Sequence, residues 1–270
     1  MNIMHHTIRI MTVQNPSHLV DIDHLRPASG DVKSRAIPDG QSILSLKPSA
    51  LHEFYADRFE DVAGTAGLAL MLAPQLAGDV KPILWLRHLK TGQSFHRGRS
   101  FVPYGPGLAA LNIDPSRFYF ALFPNKLSML KAAVDAARCG GLGAVIMESW
   151  SRFPELGLTE SRRLSFAVRS SGVTLLSLRL MADAVPSAAE TRWKISGYSS
   201  QSPGAKAPGF PAFHIECLRN RGAPERPPQT IHWTQEAGFA EQPEGEAPLP
   251  RAVATLSTSR ALADDYSHAA

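Results

Sequence analysis

The sequence predicts an α/β domain built on a mostly parallel sheet flanked by helices, with an antiparallel C-terminal edge extension and flexible termini. Three observations carry this expectation. Strand-length apolar segments alternate with segments of helical period through the middle of the chain. Residues 143–147 form an unbroken apolar run, the profile of a central parallel strand covered on both faces. Beyond residue 190 the apolar residues alternate with period two, as antiparallel strands do.

Taken in order, residues 51–56 read as the first strand and 62–72 as a helix, with Pro74 just beyond its end. Residues 82–87 read as the next strand, followed by a short irregular stretch and a strand at 118–122. Residues 126–139 read as an amphipathic helix whose Leu127, Leu130, Val134 and Ala137 share a face, stopped by Gly140 and Gly141. The strand at 143–147 ends at Glu148. A helix then starts with Thr159 as its N-cap, turns Leu164, Ala167 and Val168 inward and ends before Gly172. Residues 173–180 form the next strand. Strands at 192–198, 213–218 and 230–233 extend the sheet at one edge.

Three segments follow: a flexible N-terminal segment over 1–46, the folded domain over 47–235 and an acidic flexible tail over 236–270. The 270 residues carry a formal charge of +4, unevenly spread. Residues 223–270 hold seven acids (Glu225, Glu236, Glu241, Glu244, Glu246, Asp264, Asp265) against three arginines (Arg226, Arg251, Arg260), a balance of −4 that leaves +8 on the body. No apolar run reaches the roughly 18 residues of a membrane span, so a cytoplasmic location is expected. Cys139 and Cys217 are too few for a disulfide framework and read as small buried apolar side chains. His5, His6, His18 and His24 match no metal-ligand spacing.

A phosphate-binding loop after the first strand would read G-x-x-x-x-G-K-[ST], its glycines letting backbone N–H groups cradle phosphate and its lysine neutralising it. Here Ala56 and Asp61 stand at the glycine positions, Val62 at the lysine and Ala63 at the hydroxyl that would hold magnesium. Asp57, Glu60 and Asp61 bring negative charge to a place that would have to attract a triphosphate. Glu148 sits where a magnesium-associated acid is expected, though a leftover or solvated carboxylate accounts for it as well. Arg87 occupies the strand end where an ATP-hydrolysing relative would place a water-orienting Glu, and arginine cannot act as that base. The sequence therefore predicts no catalytic residue, no cofactor and no metal.

The segments LHEFYA (51–56), PILWLR (82–87) and LNIDPSR (111–117) resemble the ImuA family, RecA-like proteins of a bacterial damage-inducible mutagenesis cassette. So do AARCGGLGAV (136–145), LTESRRL (158–164), TRW (191–193) and LRNRG (218–222), and the likeness spans roughly residues 48–235. The resemblance implies a RecA-like core with a degenerate P-loop and a non-catalytic role in translesion synthesis under the SOS response to DNA damage. The partners it implies are an ImuB-like inactive Y-family polymerase, RecA and an error-prone replicative-type polymerase. The same sequences also carry the label SulA-like, which leaves open a cell-division inhibitor; the basic body leaves open a single-stranded DNA-binding accessory. For contacts with a partner or DNA, the sequence offers Arg87, Lys90, Arg97 and Arg99 in an acid-free basic loop, and Arg219 and Arg221 near a strand end. A solvated loop and a local turn explain these groups equally well.

Overall fold

The computed structural model describes residues 9–12, 44, 46–88, 103–200, 209–224, 226–234 and 238–241. The strands, in chain order, are β1 (Arg9–Thr12), β2 (Leu51–Ala56), β3 (Ile83–His88), β4 (Phe118–Phe123), β5 (Ala144–Trp150), β6 (Thr174–Leu180), β7 (Thr191–Gly197), β8 (Ala212–Asn220), β9 (Gln229–Thr234) and β10 (Gly238–Glu241). They form one sheet of ten strands in the order β1-β4-β3-β5-β6-β2-β7-β8-β9-β10. The six strands from β4 to β7 are mutually parallel. Antiparallel strands close both edges: β1 on β4, and the β8-β9-β10 meander on β7.

The helices are α1 (Val62–Ala77), α2 (Gly105–Ala110), α3 (Lys126–Ala136) and α4 (Leu158–Ser171). Every residue of β2 and β6 is buried, because helices cover both faces of the parallel strands. On one face α1 packs Leu68, Ala69, Met71 and Leu72 over Phe54, Trp85, Ile146 and Leu178. On the other, Met129, Leu130 and Ala133 of α3 and Leu164, Ala167 and Val168 of α4 cover Leu51, Leu84, Val145 and Leu175. Three side chains close the loops between elements. Asn125 Oδ1 accepts from the Ser128 N–H at 2.9 Å and caps α3. In the LNIDPSR segment, Asp114 Oδ1 accepts from the Ser116 N–H, and Arg117 Nε donates to the Lys81 carbonyl at 3.1 Å.

The antiparallel extension and the parallel core match the expectation, and Gly172 ends α4 in the left-handed region at φ 82°. Several boundaries differ. Helix α1 runs through Pro74 to Ala77, since a helix buried along most of its length keeps its course where an isolated one would stop. The buried side of α3 is Met129, Leu130, Ala133 and Ala136; Leu127 is 48% exposed, and the stripe lies beside the one read from the sequence. Helix α4 starts after Gly157, not after a Thr159 cap. The stretch read as irregular holds α2 and a 3-10 turn at Pro115–Arg117. β1 and β10 fall inside the segments 1–46 and 236–270 read as flexible; each gains its order from a neighbouring strand, which sequence composition does not reveal. Cys139 is exposed rather than buried, because it sits in the turn that follows α3.

Candidate functional site

In open parallel sheets ligands bind outside the carboxyl ends of the strands. There Glu148, at the end of β5, lies on the α1 face of the sheet with only 2% of its surface exposed. It is not a solvated leftover. Trp85 Nε1 donates to its Oε2 at 3.0 Å, Arg87 Nε donates to the same oxygen at 2.8 Å, and Trp150 Nε1 donates to Oε1 at 2.7 Å. The Arg87 Nη2 group adds a further bond, completing an ion pair across β3 and β5. A carboxylate offers about four acceptor sites, so these donors take up its capacity and its charge. The register makes the pair possible, since Arg87 and Glu148 face each other on adjacent strands. Phe59 closes the side of the site, its ring 6.4 Å from that of Trp150.

The segment linking β2 to α1 follows the strand end at Ala56 and reaches α1 at Val62. Its three carboxylates each have a partner within the chain. Asp57 Oδ2 lies 2.7 Å from Lys194 Nζ on β7. That hydrogen bond holds the Asp57 carboxyl below the ordinary range and raises the lysine. Glu60 pairs with Arg58. Its own backbone N–H holds its carboxyl low. Asp61 Oδ1 accepts from the Gly197 N–H at 2.9 Å, tying the start of α1 to the end of β7. Ala56 and Val62 are buried and Ala63 is exposed at the start of α1. The electrostatics at this loop are therefore those of a closed set of ion pairs and bonds, with negative charge answered locally.

A second buried charged group lies on the opposite face, where β2 runs between β6 and β7. Glu53 Oε2 accepts from Ser187 Oγ at 2.7 Å, Arg192 Nε at 3.1 Å and Tyr55 Oη at 3.1 Å. Arg179, 2% exposed, lies 3.8 Å from Glu53 Oε1, with its guanidinium over the Tyr55 ring. Burial raises the Tyr55 hydroxyl above its ordinary value and keeps it neutral. This network joins three neighbouring strands, and nothing in the residue spacing announced it.

The residues proposed from the sequence for partner or DNA contact do not form one surface. Arg87 is committed to Glu148 at the carboxyl edge. Arg219 and Arg221 lie at the end of β8, which runs antiparallel to β7 and so reaches the opposite edge. There the Arg221 N–H donates to the Glu190 carbonyl at 3.0 Å, and Asn220 Oδ1 accepts from the Gly222 N–H at 3.1 Å, the bonding of a local turn. Lys90, Arg97 and Arg99 lie outside the described residues, as do His5, His6, His18 and His24. Among the described residues no helix is long and apolar enough to cross a membrane. No protein-family model matches the chain, and no curated protein matches it.

Proposed function

We propose that this chain is a non-catalytic adaptor of the bacterial translesion-synthesis machinery, a RecA-like domain with a degenerate P-loop that binds an ImuB-like inactive polymerase and RecA. The observation that carries the reading is the Arg87–Glu148 pair. An acid that would serve a magnesium ion is taken up by the side chain that replaces a water-orienting Glu. Two further features support it. The loop at 57–61 has no lysine and answers its own carboxylates with Lys194, Arg58 and the Gly197 N–H. The strand order, with β2 between β6 and β7 and an antiparallel extension beyond β7, suits the RecA-like reading. Function then rests on surfaces, and the carboxyl edge offers exposed Phe59 and Met181 where a nucleotide-binding relative would keep a polar pocket.

Two measurements test the proposal together. A fluorescent ATP analogue titrated with magnesium should give no saturable signal, and an ImuB-like protein should be retained by the immobilised full-length chain. Saturable, magnesium-dependent nucleotide binding, or failure to retain the polymerase-like partner, counts against it.

A further inference from the structure

The outer surface of the α3–α4 layer, remote from the Glu148 site, carries an open groove of about 450 Å³ lined by Arg138, Arg162, Arg163, Phe166, Ala167 and the serines that end α4. Phe166 is its most unusual member. It is 75% exposed, although the inward side of the same helix buries Leu164, Ala167 and Val168. Arg162 and Arg163 precede it by one helical turn and Arg169 follows by one, so the ring stands among guanidinium groups. Arg138 enters from the turn after α3. The two helix ends are fixed to each other, since Ser171 Oγ donates to the Ala137 carbonyl at 2.6 Å.

No acidic side chain lines the groove. Two of its arginines have a carboxylate beside them: Asp135 lies 3.9 Å from Arg138 and Glu160 lies 3.9 Å from Arg163. Both pairs are long, and three of their four side chains are mostly solvent-exposed, the kind worth under about 1 kcal/mol, so they yield readily to a stronger anion. Arg162 makes no ion pair among the described residues. The cations of α3, its following turn and α4 are Lys126, Lys131, Arg138, Arg162, Arg163 and Arg169, against Asp135 and Glu160, a balance of six to two that leaves this layer at +4.

We infer that this groove binds single-stranded nucleic acid, with a base stacked on Phe166 and the neighbouring phosphates held by Arg138, Arg162 and Arg163. An exposed ring beside a positively charged track is how sequence-tolerant single-strand sites are built, because every base has a face to stack and every linkage has a phosphate. The floor is Ala167 and the shallow rim of two helices, which gives a flat base a resting place but offers no deep socket for a peptide's apolar anchor. The inference stands apart from the adaptor reading, since it uses a different layer of the molecule.

Fluorescence anisotropy of a labelled 20-nucleotide oligothymidylate with the full chain tests it at 50 and 200 mM NaCl. The expected result is saturable binding that weakens steeply with salt. Phe166→Ala should raise the dissociation constant about tenfold without changing the salt slope. Arg162→Ala with Arg163→Ala, removing two phosphate contacts, should reduce that slope by about 1.4. The Phe166→Ala effect should disappear with an oligomer of abasic sites, and Arg58→Ala, in the loop before α1, should leave binding unchanged. All three groove side chains are exposed, so the variants should melt with the parent, which circular dichroism checks. Absence of binding at 50 mM NaCl overturns the inference. So does an unchanged affinity in Phe166→Ala, or displacement of the oligomer by a 20-residue polyglutamate at equal charge, which would mark the groove as a seat for an acidic protein. Retention of the ImuB-like partner by Phe166→Ala separates this outcome from any failure of the adaptor reading.

Discussion

Arg87 Nε donates to Glu148 Oε2 at 2.8 Å across the pairing of β3 with β5, and the two tryptophans flanking that pair, Trp85 and Trp150, donate to the same carboxylate. Burying a charge is tolerable when it is paired and hydrogen-bonded, and very costly when one partner is removed. Arg87→Met should therefore lower stability by about 3 kcal/mol, with Glu148 left among aromatic rings. Adding Glu148→Gln should restore part of the loss, because the amide needs no counter-charge. Thermal melting of the two variants and the parent checks this; an Arg87→Met protein as stable as the parent would show the pair to be incidental.

The parallel core was legible because its strands are buried on both faces, and such segments announce themselves as unbroken apolar runs. Residues 143–147 did so, and Leu175 to Leu178 nearly so, with Ser177 alone breaking the run. The edges were less legible. β1 and β10 draw their order from backbone pairing with β4 and β9, which leaves little trace in four residues of sequence. The candidate site divides in the same way. The loss of the phosphate-loop residues is visible position by position, and Glu148 and Arg87 could be placed at strand ends. That the two residues neutralise each other depends on β3 lying beside β5 although β4 comes between them in sequence, and strand order is long-range information. The Glu53 network stayed hidden for the same reason, since Arg179, Ser187 and Arg192 meet Glu53 and Tyr55 only once β6 and β7 flank β2.

Putting the phosphate-loop residues back should damage this protein without giving it a nucleotide site. Asp61→Gly removes the acceptor of the Gly197 N–H and leaves that group unpartnered, a loss of about 1–3 kcal/mol. Ala56→Gly loosens a fully buried strand end, and Val62→Lys puts a charge at a buried helix start. The quadruple variant Ala56→Gly, Asp61→Gly, Val62→Lys, Ala63→Thr should melt well below the parent and still give no saturable signal with a fluorescent ATP analogue. Restored magnesium-dependent binding would show that Arg87 leaves room for a nucleotide.

His52 provides a pH dependence with a definite sign. Its ring is buried in β2, with Nε2 2.8 Å from the Lys47 carbonyl and Nδ1 2.8 Å from Thr191 Oγ1. Desolvation holds its pKa below the ordinary 6.5, outweighing the carbonyl bond and the more distant Glu190, both of which raise it. The unfolded chain therefore takes up a proton at His52 before the folded chain does. Its contribution to stability is fully present above pH 6.5 and is lost as pH falls from there toward the lower folded value. Melting temperatures measured from pH 7.5 to 5.0 should fall at the acid end, and His52→Gln should flatten that fall while lowering the plateau. An unchanged slope in His52→Gln would assign the acid sensitivity to other groups.

Gly143 shows how little space separates α1 from the sheet. It precedes β5, and a Cβ placed there would lie 2.6 Å from both the Cβ and the carbonyl oxygen of Ala77, at the last turn of α1. Two of the three nearest atoms belong to backbone, so no rotamer change relieves the overlap; either the end of α1 or the start of β5 must move. The Gly143 N–H also donates to the Pro82 carbonyl at 2.9 Å and its carbonyl accepts from the Thr174 N–H at 3.1 Å, which fixes the strand on both sides and leaves the helix end to shift. Gly143→Ala should cost about 1–3 kcal/mol, larger than a glycine-to-alanine change at Gly67, where an added Cβ meets nothing within 4 Å and helix propensity favours alanine. Urea unfolding of the two variants should place their midpoints on opposite sides of the parent, and a neutral Gly143→Ala would mean that α1 is not held against the sheet at Ala77.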